Sequence, residues 1–123
     1  MRTHAISWFE IAVNDLKRSR TFYEHVLGTE LVSGGDENCT MLAFPFDERN
    51  GVGGALTRMD GCQPGVGGTI VYLDVNGDLD GALARVSAAG GRVRLDRLNI
   101  SPHGYIGVIE DPEGNVVGLH STR

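Results

Sequence analysis

An internal repeat constrains this chain more than any other feature. The segment "FEIAVNDLKRSRTFYEHVLGTEL", starting at Phe9, can be laid on "VYLDVNGDLDGALARVSAAGGRV", starting at Val71. Val13 falls on Val75 and Gly28 on Gly90, the same offset of 62 each time (75 − 13 and 90 − 28). Both copies read as an alternating apolar run, a Val-Asn turn with an acid, an amphipathic helix and a glycine. An offset of about half the 123 residues implies two similar modules, residues 4–60 and 68–123. A chain of this length builds one domain, so the modules are halves of a single unit spanning residues 1–123.

Each module opens with a strand whose faces differ by the period-2 rule. In the first, Phe9, Ile11 and Val13 alternate with Trp8, Glu10 and Ala12; in the second, Val71, Leu73 and Val75 alternate with Ile70, Tyr72 and Asp74. The first set on each strand reads as core. The second mixes aromatic rings with carboxylates, which suits the lining of a cleft better than a core or a bare solvent face.

A helix follows each strand. Asn14 or Asp15 caps the first, Leu16, Phe22, Tyr23, Val26 and Leu27 form its buried side, and Gly28 ends it. Asp78 caps the second, Leu79, Ala82, Leu83 and Val86 form its stripe, and Gly90-Gly91 ends it. Short strands are then expected over 30–33, 40–44 and 54–58, and over 92–95, 105–110 and 116–121. Segments 34–38, 47–53 and 61–68 read as loops. Each module is therefore β-α-β-β-β, an α+β fold. "DPEGN" at 111–115 has the composition of a hairpin turn, with Asp111 as a backbone acceptor rather than a catalyst.

Composition removes several function classes. A net charge of −5, without a run of like charges, argues against nucleic acid and favours a neutral or cationic small ligand. No apolar stretch reaches the roughly 18 residues of a membrane span, and "MRTHAISWFE" has no signal-peptide core, so a cytoplasmic location is expected. Cys39 and Cys62 belong to no CxxC and read as reduced thiols. No nucleophile elbow or phosphate-binding glycine loop is present. His4 and His25 read as surface residues, and His103, after Pro102, as a loop residue, with a place over the ligand as its alternative reading.

The paired modules, with "FEIAVNDLKRSRTFYEHVLG", "GGAL", "TIVYLDVNGDLDGALARVSAAGGRV" and "GYIGVIEDPEGNVVGLHS", resemble the vicinal oxygen chelate superfamily of glyoxalase I, extradiol dioxygenases, fosfomycin-resistance enzymes and bleomycin-resistance proteins. The opening "WFEI" and the close "GNVVGLHS" are similar to its bacterial glyoxalase-like, lactoylglutathione lyase-related group. The resemblance implies two modules whose strands curl into a cup as one mixed sheet, helices outside and ligand inside, in a homodimer. It also carries the superfamily's metal-ligand positions onto Trp8, Ala55 (to within one residue), Ile70 and Gly118. None of these side chains supplies a metal donor.

No cofactor is therefore expected, although Glu10 and His120, each two residues past a lost ligand, leave a displaced divalent site possible. Those two are the candidate catalytic residues, and His120 has the titration range for acid or base work. Trp8, Glu10, Tyr72, Asp74, Tyr105 and His120 are the candidate ligand-binding set. Three functions compete: metal-independent binding of a small organic molecule, a lyase, isomerase or dioxygenase using the displaced ion, and a non-catalytic interaction module. The first is preferred.

Overall fold

A computed structural model describes residues 3–33 and 40–123. Cys39 and the 34–38 loop lie outside the described residues. The chain divides into two compact units, the first Trp8–Thr69 and the second Ile70–Arg123 together with Met1–Ser7. The described residues form eight strands and two helices, an α+β fold.

In the first unit the elements are β1 (Ile6–Ala12, of which Ile6 and Ser7 are grouped with the second unit), α1 (Leu16–Leu27), β2 (Val32–Ser33), β3 (Met41–Ala43) and β4 (Gly53–Thr57). The strands lie in the order β2-β3-β4-β1, with β4 parallel to β1 and the other pairs antiparallel. The second unit holds β5 (Thr69–Asp74), α2 (Leu79–Val86), β6 (Arg92–Asn99), β7 (Tyr105–Glu110) and β8 (Val116–Ser121). Its order is β6-β7-β8-β5, with β8 parallel to β5 and the rest antiparallel. The repeat in sequence is thus a repeat in topology, β-α-β-β-β twice. The one long departure is β6, which runs to Asn99 through two register shifts instead of stopping near Leu95.

The core of the first unit is Val13, Leu31, Leu42 and Leu56, with Ile11, Leu16, Tyr23 and Phe44 packed on it. The Phe9 ring lies over Gly54, where a side chain would collide with it. The expected core face of β1 is thus the one toward α1. Asp15 caps α1 by accepting from the Arg18 N–H at 3.0 Å, and Gly28 ends it at φ 68°.

The apolar side expected for α1 is only partly buried. Leu16 and Tyr23 pack inward, but Phe22, Val26 and Leu27 are 59%, 60% and 53% exposed. A polar clip on the other flank accounts for Phe22 and Val26, though not for Leu27, which falls on the clip's own side near the helix end. Arg20 pairs with Glu24 at 3.0 Å, Glu24 accepts the Leu31 N–H at 2.8 Å, and Arg20 donates to the Leu31 carbonyl at 3.3 Å. At about 100° per residue, Phe22 and Val26 lie on the flank away from this clip, so holding Leu31 rolls them outward.

In the second unit Leu79, Leu83 and Leu119 form the core, joined by Val75, Ala82, Val93, Tyr105 and Ile109. Burying a leucine contributes about 1.5–3 kcal/mol. Leu79 and Leu83 therefore hold α2, which at eight residues is too short to persist alone. Asp78 occupies the cap position, yet its side chain takes no capping hydrogen bond and pairs with Arg85 at 3.1 Å. The helix also ends earlier than the glycines suggested, at Val86, with turns following before Gly90.

Burial on β5 is the reverse of the expectation. Leu73, opposite Leu119 on the helix side, is 40% exposed, while Tyr72 on the other face is 7% exposed. The short α2 lies against β6, β7 and β8. It leaves the helix side of β5 open. Tyr72 instead packs its ring over Gly118, whose missing side chain makes the room.

The hairpin turn is as expected. Asp111 accepts from the backbone N–H groups of Glu113 and Asn115 and from the Asn115 amide, each at 2.9 Å. These bonds, the Asn115 side chain first, hold its carboxyl below the ordinary range.

Candidate functional site

Two clusters carry the candidate residues, one in each unit. On β1, Trp8 and Glu10 share the face away from α1, about 6–7 Å apart along the strand. The Trp8 indole N–H donates to Glu10 Oε2 at 3.2 Å. Trp8 meets the Phe46 ring edge to face, with centroids 6.3 Å apart, and Phe46 lies over Gly53, the strand neighbour of Trp8. Opposite Glu10 stands Ala55, fully buried, so β4 offers this carboxyl no charged partner. Burial accordingly raises the Glu10 pKa above its ordinary 4.5, and the Trp8 bond offsets only part of that rise. Thr57, one pleat further on, is 2% exposed, and its hydroxyl has no partner among the described residues.

Phe46 and Thr57 were not singled out from sequence. Phe46 falls between the expected 40–44 strand and the 47–53 loop, and its only signal is the Gly53-Gly54 pair that leaves space for a ring. Thr57 looks like any strand threonine until its burial is known.

In the second unit, Asp74 and His120 are register partners on the parallel strands β5 and β8, facing away from α2. His120 Nε2 lies 2.7 Å from the His103 carbonyl, which can only accept, so this nitrogen carries the proton and donates. His103 thus meets His120 through its backbone, while its side chain is exposed. Tyr105 faces the other way. It packs with the α2 core, under the Arg97 guanidinium at 3.8 Å from the ring centroid. It shares no face with Tyr72, Asp74 and His120, because β7 places Ile106, not Tyr105, opposite His120. His4 and His25 are exposed, and Cys62 is a half-buried free thiol.

A divalent ion does not fit the four positions that resemblance assigns to it. Trp8, Ala55, Ile70 and Gly118 lack donors, and the space beside Gly118 is filled by the Tyr72 ring. Among the described residues, no three His, Cys, Asp or Glu side chains gather as an ion-holding group. Glu10 belongs to the first unit and His120 to the second, and each already has a hydrogen-bond partner. No helix among the described residues is long and apolar enough to cross a membrane.

Comparison with known proteins agrees with this architecture. The pattern of the Glyoxalase/Bleomycin resistance protein/Dioxygenase superfamily matches residues 5–119. Among solved structures, the Mn(II)-bound glyoxalase from Novosphingobium aromaticivorans is similar at 24% identity and a TM-score of 0.67, over 96% of this chain and 38% of that one. Methylmalonyl-CoA epimerase from Mycobacterium tuberculosis is similar at 18% identity and 0.61, over 97% and 90% of the two chains. A hypothetical protein from Bacillus halodurans C-125 is similar at 13% and 0.67, over 96% and 94%. No curated protein sequence matches. At these identities the solved structures establish the fold alone.

Proposed function

Because the chain belongs to the Glyoxalase/Bleomycin resistance protein/Dioxygenase superfamily, we propose that it binds a small organic molecule, without a divalent ion, on the Trp8, Glu10 and Phe46 face of the first unit. The observation that carries this reading is a half-buried carboxyl, Glu10, held by one indole N–H and opposed by alanine. Such a group is costly to the fold and gains a partner when a ligand offers one. The aromatic wall suits a planar or cationic ligand, and the net charge of −5 favours the cation. A cation bound here stabilises the ionised carboxylate, so binding releases a proton where Glu10 was still protonated. The "WFEI" opening favours the glyoxalase-like branch of the superfamily.

Trp8 is the single tryptophan, so its fluorescence reports on this face directly. A screen of planar aromatic cations and neutral aromatic amides, run in EDTA, is expected to give saturable quenching. Glu10→Gln should weaken the cation response by at least tenfold. Quenching that appears only on adding Mn, Ni or Zn would sink the metal-independent reading. No response from any compound would remove the site.

A further inference from the structure

The second unit contains a pocket that the reading above does not use. It is an open cavity of about 400 Å³ where β5 and β8 end, with Ser7, Asp74, His120 and Arg123 on its walls. That volume lies at the small end of the roughly 300–1,000 Å³ typical of ligand sites.

Local backbone structure builds it. After β5 the chain turns through Asn76 and Gly77, both left-handed at φ 55° and 82°. Asp74 Oδ1 secures this turn by accepting the Asn76 N–H at 2.8 Å. The Arg123 guanidinium lies against Gly77, where a Cβ would stand 2.6 Å from Nε. On the remaining side, Ser7 Oγ donates to the Tyr72 carbonyl at 3.3 Å, and the Ala5 carbonyl accepts from the Asp74 N–H at 2.9 Å.

The walls retain unused hydrogen-bonding capacity of both signs. Neither Asp74 nor Arg123 makes an ion pair among the described residues, with each other or with a third group. Asp74 Oδ2 has no hydrogen-bond partner among them either. His120 is oriented by its Nε2 bond to the His103 carbonyl, and in the Nε2–H tautomer its Nδ1 is an acceptor. Asp74 and His120 are register partners, which sets two acceptors side by side on one wall. Arg123 supplies donors from another. A simple anion would meet Asp74, and a simple cation would meet Arg123. A molecule carrying both charges satisfies both walls.

We propose that this pocket binds a small zwitterion of the amino-acid class, its ammonium group held by Asp74 and His120 Nδ1 and its carboxylate by the Arg123 guanidinium. None of these residues belongs to the Trp8 face, and all lie in the second unit.

The test is an amide-shift titration of the isotope-labelled full chain with each of the twenty common amino acids. Leucine is paired with 4-methylpentanoate, which lacks the amine, and 3-methylbutylamine, which lacks the carboxylate. Saturable shifts confined to residues 74–77 and 120–123 are expected for at least one amino acid. Removing either ligand charge should weaken binding at least tenfold. Arg123→Gln should lose the preference for the zwitterion over the matching amine, and Asp74→Asn, which keeps the Oδ1 acceptor for Asn76, should lose the preference over the matching acid. No localised shift with any amino acid overturns the proposal, and so does an equal response to zwitterion, acid and amine.

Discussion

The two units share one topology yet spend their side chains differently. In the first, the Arg20–Glu24 clip ties α1 to Leu31, just before β2, and its Phe22 and Val26 flank faces outward. In the second, no such clip to backbone is present among the described residues; α2 docks through Leu79 and Leu83, with Asp80 paired to Arg97 of β6 at 3.2 Å. The strands differ in the same sense. At the repeat-equivalent positions 10 and 72, the first unit keeps a half-buried carboxyl over small residues, whereas the second fills the space with a tyrosine ring over Gly118. A repeat therefore preserves backbone pairing while leaving each copy free to choose what its faces do. At this position the first copy keeps a polar group that the second replaces with a packed ring.

The largest expected effect tests the helices. Leu79→Ala should cost about 2–5 kcal/mol in denaturant unfolding, because a fully buried leucine leaves a cavity. Phe22→Ala on the exposed flank of α1 should stay within about 0.5 kcal/mol. Equal costs would break the contrast. If Phe22→Ala instead converts a dimer to a monomer in sedimentation, the flank is the surface that a second copy covers, as a homodimer requires.

A smaller effect tests the filled face. Gly118→Ala forces the Tyr72 ring to move, an overpacking cost of about 1–3 kcal/mol. A neutral result would mean that the ring yields freely and does not fill that face of the second unit as tightly as its contact with Gly118 implies.

The smallest effect concerns Glu10. Burial raises its folded-state pKa above the ordinary 4.5, so the folded protein keeps a proton that the unfolded chain releases. Its stability penalty is absent below pH 4.5, grows as pH rises through the interval to the raised folded value, and is complete above it. Glu10→Gln cannot ionise. The variant should therefore melt higher than the parent at pH 7, with the difference shrinking to nothing at pH 4. Glu24, Asp47 and Asp111 carry shifts of the opposite sign, and their stabilisation fades as pH falls in both proteins. A constant difference across pH would show that Glu10 is not desolvated in the folded state.

Much of the fold was legible in the residues. Asp15, Gly28 and Asp111 act locally, through hydrogen bonds or backbone angles within a few residues, and all three do what their types predict. Val13 and Leu119 fall on the helix side because strand alternation is local too. The misreadings involve longer range. The roll of α1 depends on Leu31, eleven residues from Arg20, and the exposure of Leu73 on where α2 comes to rest. Tyr105 looked like a cleft aromatic until the register of β7 on β8 set it beneath Arg97.

The candidate sites divide in the same way. Sequence alone picked out Trp8, Glu10 and Asp74, because carboxylates and rings on one strand face suit a cleft lining better than a core or a solvent face, and the resemblance pointed to His120, two residues past Gly118. It also established the doubled β-α-β-β-β pattern and the absence of donors at the inherited metal positions. Tertiary structure alone decided that Phe46 leans on Trp8, that Ala55 leaves Glu10 without a charged partner, that His103 orients the His120 ring, and that Arg123 reaches Gly77. The physical reason is one of range. Periodicity and turn chemistry act over a few bonds and are written in adjacent residues, whereas desolvation and the meeting of side chains depend on strands brought together from distant parts of the chain.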